Sequence, residues 1–448
     1  MHETKTLQDK FRLFVKILIP ILITQVGLYS MNFTDTLMSG RAGASDLAGV
    51  AIGSSIWVPV LTGINGILIA ISPIVAQALG AKEYNKIPFS VRQGIYLSIC
   101  LAVIISIIGY KLLDPILNLL SLEEEVKHVA KYYLIWLGIG MIPLFVYNLL
   151  RSFVDALGQT KISMLIILIA LPVNVFFNYM FIYGKFGAPK LGGIGAGVAS
   201  AITYFVVAII SIIIIQKIRP FKSYQVFSQW SLPSLKAWKE QLKIGIPIGF
   251  TIFFETSIFA AVTLFMSAYN TETIAAHQAA NNFASLFYMF PLAIAMTLTI
   301  TVGFEVGAKR IKDANSYTKI GIYSSLILAT INGLLIYIFR EEVANIYSTD
   351  HAVINLIQKF LIFAIFFQLS DGIGAPIQGV LRGYKDVNIT LIISFISFWV
   401  IGLPTGYIVA NYTSLGPFGY WIGLIVGLAM GAFALFGRLL YIVRIKKT

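Results

Sequence analysis

Three carboxylic acids stand in stretches of this 448-residue chain that are otherwise too apolar to solvate them: Asp35, Glu255 and Asp371. Glu255 sits in the middle of "KIGIPIGFTIFFETSIFAAVTLFMSAY", residues 243–269. An ionised carboxylate in hydrocarbon costs about 3 kcal/mol on insertion scales, so ionisable groups there default to function. The chemistry open to such an acid is to hold a cation or a proton. Neutral oxygen and amide groups accompany each one. Asp371 shares a helical face with Gln368, at i−3, and Gln378, at i+7. Asp35 shares one with Gln25 and Asn32, Asn174 and Asn178 stand one turn apart, and Gln278, Asn281 and Asn282 form a further polar group. Lipid cannot satisfy such stripes, so they require a polar cavity. Na⁺ favours several oxygen ligands, which Asp35 with Asn174 and Asn178, or Glu255 with Asp371, can supply. A proton needs one carboxylate whose charged form is disfavoured by burial.

Blander readings stand beside these. Glu255 and Asp371 are also compatible with neutral, hydrogen-bonded structural acids, and Asp35, in "DTLMSG", with an interfacial position next to a loop. The Asn174–Asn178 pair is compatible with simple helix glue, where polar contacts average about 0.6 kcal/mol. Pro20 is read as a hinge, with an ordinary helix kink as the alternative. "GGIGAG", residues 192–197, lacks the Lys-Ser/Thr of a phosphate loop and opens an apolar run, which points to close helix packing.

The elements that must position these residues follow from composition. The chain is 58% hydrophobic and 12% charged, with mean hydropathy +0.83; soluble domains carry about 25% charged residues. A span needs about 20 mostly apolar residues. That rule places twelve helices near 13–37, 47–75, 91–112, 130–150, 162–184, 193–216, 243–268, 278–304, 320–339, 354–380, 388–410 and 420–441. By that division only Asp35, Glu255 and Asp371 of the twenty acids fall within spans. The expected class is an all-α polytopic membrane protein. With the N-terminus inside, 24 of the 33 Lys and Arg lie in inner segments and 8 in outer loops. This bias puts both termini in the cytoplasm of a multi-pass protein of the cell (inner) membrane. It also accounts for the net charge of +13 without nucleic acid. The single cysteine, Cys100, excludes an internal disulfide.

The chain also repeats itself. "FVKILIPILIT" (14–24) aligns with "QLKIGIPIGFT" (241–251), matching Lys16 to Lys243 and Pro20 to Pro247 at an offset of 227 residues. The same offset pairs Gly80-Ala81-Lys82 with Gly307-Ala308-Lys309, and Tyr110, Asn118 and Ser121 with Tyr337, Asn345 and Ser348. Six helices per unit return the chain to its starting side, so the repeat is parallel, as in one class of secondary transporter. The expected division is an N-lobe over 1–220, a cytoplasmic linker over 221–242 with Trp230 and Trp238 as interface anchors, and a C-lobe over 243–448.

Enzyme signals are poor. The histidines His2, His128, His277 and His351 form no H-E-x-x-H pair, and neither a G-x-S-x-G elbow nor a G-x-x-x-x-G-K-[ST] loop is present. The expectation is a protein that is not an enzyme and uses no cofactor. With no nucleotide site, energy would come from an ion gradient.

"TDTLMSG" around Asp35, "PVNVFFNYMFIYGKFG", "FFETSIF" around Glu255, "AAHQAANNF" and "LSDGIGAPIQGVLRGYKD" around Asp371 together resemble the MATE (multidrug and toxic-compound extrusion) transporters, in particular their NorM-type branch, over nearly the whole chain. The resemblance implies two six-helix lobes around a central cavity and antiport of small organic cations against Na⁺ or H⁺. It implies coupling roles for Asp35, Asn174 and Asn178 in the N-lobe and for Glu255 and Asp371 in the C-lobe, these acids being the tentative Na⁺ ligands. Gln25, Asn32, Gln278, Asn282, Phe367, Gln368 and Gln378 are the candidate cavity-lining residues. Phe367 departs from the branch, which has a tyrosine there; a phenyl ring can still face a cation. The partners expected are organic cations and membrane lipids, with the protein a monomer. The alternatives are a lipid-linked saccharide flippase of the same superfamily, which would want cationic residues in its cavity, and a membrane-embedded enzyme or receptor-like binding protein. A major-facilitator carrier is disfavoured because "GAKEYNK" lacks G-x-x-x-D-R.

Overall fold

Apolar runs of the lengths above can satisfy their backbone in lipid only as helices or as closed barrels. The computed structural model describes residues 3–120, 122–228 and 231–445, and among them there is no strand. His2, Ser121 and Trp230 lie outside the described residues. The helices are α1 (Leu7–Ala42), α2 (Ala44–Leu68), α3 (Ile71–Gly80), α4 (Lys86–Leu119), α5 (Glu124–Ile139), α6 (Met141–Ala156), α7 (Thr160–Tyr183), α8 (Gly193–Lys217), α9 (Leu235–Met266), α10 (Thr271–Gly307), α11 (Ile311–Tyr347), α12 (His351–Gly383), α13 (Asn388–Phe395), α14 (Leu403–Tyr412) and α15 (Phe418–Ile445). A π-helical segment, Ile396–Gly402, joins α13 to α14. Eleven helices are long and apolar enough to cross a membrane, α2 with α3 and α13 with α14 each counting as one. The pair α5–α6, bent by 50°, brings the number to twelve. This is a multi-pass membrane protein with the expected all-α fold.

The bend at Gly140 has a local cause. Pro143 has no N–H for the Ile139 carbonyl one turn back, which interrupts the helix there. Several helices run beyond their apolar runs. α9 begins at Leu235, so 235–242, expected as linker, is helix. α10 runs to Gly307 and includes the buried Glu305, so more acids than the expected three sit in the long helices.

The chain divides into two units, residues 19–246 and residues 1–18 with 247–448. They do not coincide with a division at 220 and 242. The first 18 residues group with the C-terminal helices, and the linker region groups with the N-terminal ones. Both changes of unit fall inside a helix, within two residues of Pro20 in α1 and at Pro247 in α9. At each proline the threonine four residues on, Thr24 or Thr251, donates its hydroxyl to the proline carbonyl at 2.8 Å. Such back-bonding tends to bend a helix.

In the unit 19–246, α8 carries a face of small buried residues, Gly193 to Ala201. A Cβ on Gly195 would lie 2.5 Å from the Phe181 carbonyl carbon, and one on Gly197 would lie 2.8 Å from the Tyr133 carbonyl oxygen. The glycine-rich run therefore serves close packing against α7 and α5. Gln93, fully buried on α4, donates to the Leu232 carbonyl at 2.9 Å and accepts from the Ser234 N–H at 2.8 Å, which pins the segment leading into α9. In the other unit the start of α1 and the residues before it are held similarly on α11: Thr4 meets Tyr317 at 3.0 Å, and Lys10, in the first turn of α1, meets Asp313 at 2.6 Å. α10 and α12 cross so closely that a Cβ at Gly379 would overlap the Ala295 carbonyl.

Candidate functional sites

In the unit 19–246 the site forms where α1, α7 and α8 meet. α8 can approach because its face is glycine and alanine, and that approach delivers Ser200. Asp35 is only 5% exposed. The Asn178 side-chain amide donates to Asp35 Oδ1 at 2.6 Å, and the Ser200 hydroxyl donates to Oδ2 at 2.7 Å. The same Asn178 amide also reaches Asn174 Oδ1 at 3.0 Å. Asn178 Oδ1 and Asn174 Nδ2 are buried without a hydrogen-bond partner. Tyr133 and Tyr204 lie within electrostatic reach of the carboxylate. The result is a dry acid surrounded by neutral oxygen and nitrogen groups, with one amide oxygen turned to nothing. Asp35 is therefore buried within its unit. Ser200, Tyr133 and Tyr204 were not singled out from sequence; for Ser200 the available signal was its place seven residues after Gly193 on the small-residue face.

The second site, in the unit 1–18 with 247–448, is built by α9, α10 and α12. The Gln378 amide donates to Glu255 Oε1, and Gln378 Oε1 in turn accepts from Arg382 Nη2 at 3.2 Å. Asp371, 6% exposed, has its Oδ2 buried with no hydrogen-bond partner and lies within electrostatic reach of Glu255. Tyr288 on α10 lies within reach of Glu255, Asp371 and Arg382. The Trp399 indole, in the π-helical segment, donates to the Phe254 carbonyl at 3.3 Å and so fixes the backbone next to Glu255. Tyr288, Arg382 and Trp399 were not singled out from sequence. Arg382 reads as a loop charge when the helix is ended at 380.

The other candidates divide. Gln368 is buried and spends its amide on the Ala284 carbonyl at 2.8 Å. Phe367 is buried and packs edge-on against Phe259, with centroids 5.5 Å apart. Gln25 is half-buried, while Asn32 is exposed and turns its amide to its own helix at the Leu28 carbonyl, 3.4 Å away, rather than to Asp35. Gln278 and Asn282 are exposed, and Asn282 accepts from the Tyr347 hydroxyl at 2.9 Å. A groove of about 770 Å³ between α2, α4 and α5, lined by Trp57, Ile107, Gly138 and Ile142, is apolar and contains none of these groups.

Two features set the chemistry. Among the described residues Asp35, Glu255 and Asp371 form no ion pair, whereas Asp386 is bound by Arg438 at 2.6 and 3.0 Å and Glu305 by Arg310 at 2.6 Å. Among the same residues no three His, Cys, Asp or Glu come together as a metal-binding group, and Asp35 belongs to a different unit from the other two acids. The buried charges are not all acidic: Arg151, 9% exposed, and Arg382, 5% exposed, are buried as well.

The same frame recurs in known proteins. The MatE family model matches twice, over residues 20–180 and 247–408; both matches open on a proline and their starts are offset by the 227 residues of the internal repeat. The chain is 60% identical over 442 residues to the probable multidrug resistance protein NorM of Oceanobacillus iheyensis, covering 99% of each chain. It is 56% identical over 439 residues to the protein of the same description in Bacillus subtilis, covering 98% of this chain and 97% of that one. Among solved structures it is similar to a multidrug resistance MATE family transporter of the MOP superfamily in an outward-facing conformation, with TM-score 0.90, 20% identity and 100% of each chain covered. A eukaryotic MATE transporter gives TM-score 0.88 at 19% identity, covering 97% of this chain and 96% of that one. At these identities the structures speak for the fold, twelve helices in two lobes. Membership rests on the doubled match and on identity sustained along the full length: the chain belongs to the MatE family of membrane transporters.

Proposed function

We propose that this protein is a multidrug efflux transporter of the cell membrane, exporting small organic cations in exchange for Na⁺ or H⁺ by alternating access. The observation that carries the reading is the absence, among the described residues, of any ion pair at Asp35, Glu255 and Asp371. A bare carboxylate in a dry site is costly unless something positive meets it. Asp386 and Glu305 are met by resident arginines and therefore read as structural. Asp155, also buried and without an ion pair among the described residues, lies within electrostatic reach of Arg151 one turn before it, and the other three are left for a mobile cation.

The cycle follows from charge. Loading an acid with Na⁺ or H⁺ removes the need for a cationic cargo beside it, which weakens the hold on that cargo and shifts the balance between conformations. Release of the ion inward restores the bare acid and the affinity for a new organic cation. Net movement is outward for the cargo and inward for the ion, with both termini in the cytoplasm as the lysine and arginine bias implies. The protein works as a monomer among membrane lipids and needs no cofactor beyond the coupling ion. It is a carrier rather than an enzyme. An anionic cargo, as for a lipid-linked saccharide flippase, would need buried cations free to meet it; Arg382 is turned onto Gln378, and the buried Arg151 lies within electrostatic reach of Asp155, one turn on in the same helix.

Efflux of ethidium from proteoliposomes, with the Na⁺ and H⁺ gradients collapsed one at a time, tests the reading. Loss of efflux on collapsing one gradient is expected and identifies the ion. Efflux that persists with both collapsed would overturn ion-coupled exchange.

A further inference from the structure

Arg382 sits in the helix that carries Asp371 but touches neither acid. It is buried, and its Nη2 donates to Oε1 of Gln378, one turn before it in α12. The opposite end of the same amide donates to Glu255. A guanidinium can only donate, while a glutamine amide has one accepting and one donating end. Arg382 therefore selects which end of Gln378 faces the carboxylate. With the arginine in place the amide meets Glu255 with N–H. Without it, the amide could rotate and present oxygen, which a bare carboxylate repels and to which a protonated one donates.

We propose that Arg382 is a positioning residue for ion coupling: it fixes the Gln378 amide so that a neutral N–H, rather than a cation, supports the emptied Glu255 carboxylate. This rests on the reading of Glu255 as a coupling acid. The arrangement meets two opposed requirements. A direct Arg–Glu pair would occupy the carboxylate permanently, because a buried pair is hard to break, and the coupling ion would be shut out. No support at all would leave the emptied acid so unfavourable that the ion would not depart. One amide between the two passes on part of the positive potential and leaves the rest of the carboxylate open. The other unit has no such relay. At the repeat's 227-residue offset Arg382 aligns with Asp155 and Gln378 with Arg151, and Asp35 there is supported by neutral groups, Asn178 and Ser200 foremost.

The test is the concentration of Na⁺ or H⁺ that gives half-maximal ethidium efflux in proteoliposomes, measured for wild type, Glu255→Gln and three further variants. Arg382→Gln can accept as well as donate, so Gln378 loses its orientation. The half-maximal concentration should fall about tenfold, with a lower maximal rate because the ion leaves slowly. Arg382→Lys still only donates and should restore a near-normal value. Gln378→Ala removes the spacer and lets Arg382 close on Glu255, so the half-maximal concentration should rise. Wild type without ion dependence, or Glu255→Gln without effect, would overturn the reading of Glu255 itself and the role of Arg382 with it. A normal Glu255 response with an unchanged half-maximal concentration in Arg382→Gln would overturn only the positioning role. So would an Arg382→Lys that behaves as Arg382→Gln, which would indicate a packing role. Should Arg382→Gln fail to fold, judged by gel filtration of purified protein, Gln378→Ala decides alone, and a half-maximal concentration that stays put or falls counts against the proposal.

Discussion

The two units bury their acids in different ways. Asp35 is a single carboxylate with both oxygens engaged by neutral donors, Asn178 and Ser200. Glu255 and Asp371 are two carboxylates within electrostatic reach of each other; the Gln378 amide donates to Glu255, while Asp371 Oδ2 has no donor. Like charges in a dry site repel strongly, because the interior screens them poorly. The pair therefore depends on a cation far more than Asp35 does. On the proposed reading, the difference gives the larger coupling energy to the unit containing 247–448. It gives the unit 19–246 a site that tolerates being empty.

The comparison can be broken most sharply at the acids. Glu255→Gln and Asp371→Asn should each abolish ion-driven ethidium efflux at normal expression. Asp35→Asn, whose acid is already satisfied by its neighbours, should leave a reduced but measurable rate. Equal loss in all three would remove the distinction between the units, and unaffected efflux in both Glu255→Gln and Asp371→Asn would remove the coupling role of the pair.

A smaller change sharpens the same contrast. Ser200→Ala takes one of two donors from Asp35 and leaves Oδ2 bare. A lost hydrogen bond to a charged group is worth about 1.5–3 kcal/mol. The carboxylate should then bind its cation more tightly, lowering the half-maximal ion concentration while Glu255-dependent coupling persists. A thermal-shift measurement separates this from simple destabilisation: added coupling ion should stabilise Ser200→Ala more than wild type. Equal stabilisation would mean that Ser200 does not support the Asp35 charge.

Much of this was legible beforehand, for physical reasons. A span announces itself by apolar length, so the helices were found where they are. Their ends were not, because outside the apolar run nothing in hydropathy stops a helix; hence α9 from Leu235 and α10 to Gly307. The break at Gly140 depends on one proline, and the π-helical segment before Gly402 on local packing against α15, neither of which a hydropathy window resolves. That residues 1–18 group with the C-terminal helices is a fact of tertiary packing. At the sites, acids and amides in apolar runs stood out by their cost, so Asp35, Asn178, Glu255, Asp371 and Gln378 were visible. Ser200 was not, since one hydroxyl on a small-residue face costs little. Asn32, Gln278 and Asn282 share a residue type with the true partners, but their rotation about the helix axis leaves them exposed. Arg382 was hidden by a helix end placed three residues too early.

The central claim is that a mobile cation and an organic cation compete for the same unpaired acids. Its most direct measurement is ion release on cargo binding. Ethidium is added to purified wild-type protein in weakly buffered solution, and the Na⁺ and H⁺ set free are counted. Release of one or the other, lost in the Glu255→Gln, Asp371→Asn double variant, is the expected result. Saturable ethidium binding with neither ion released would contradict the account.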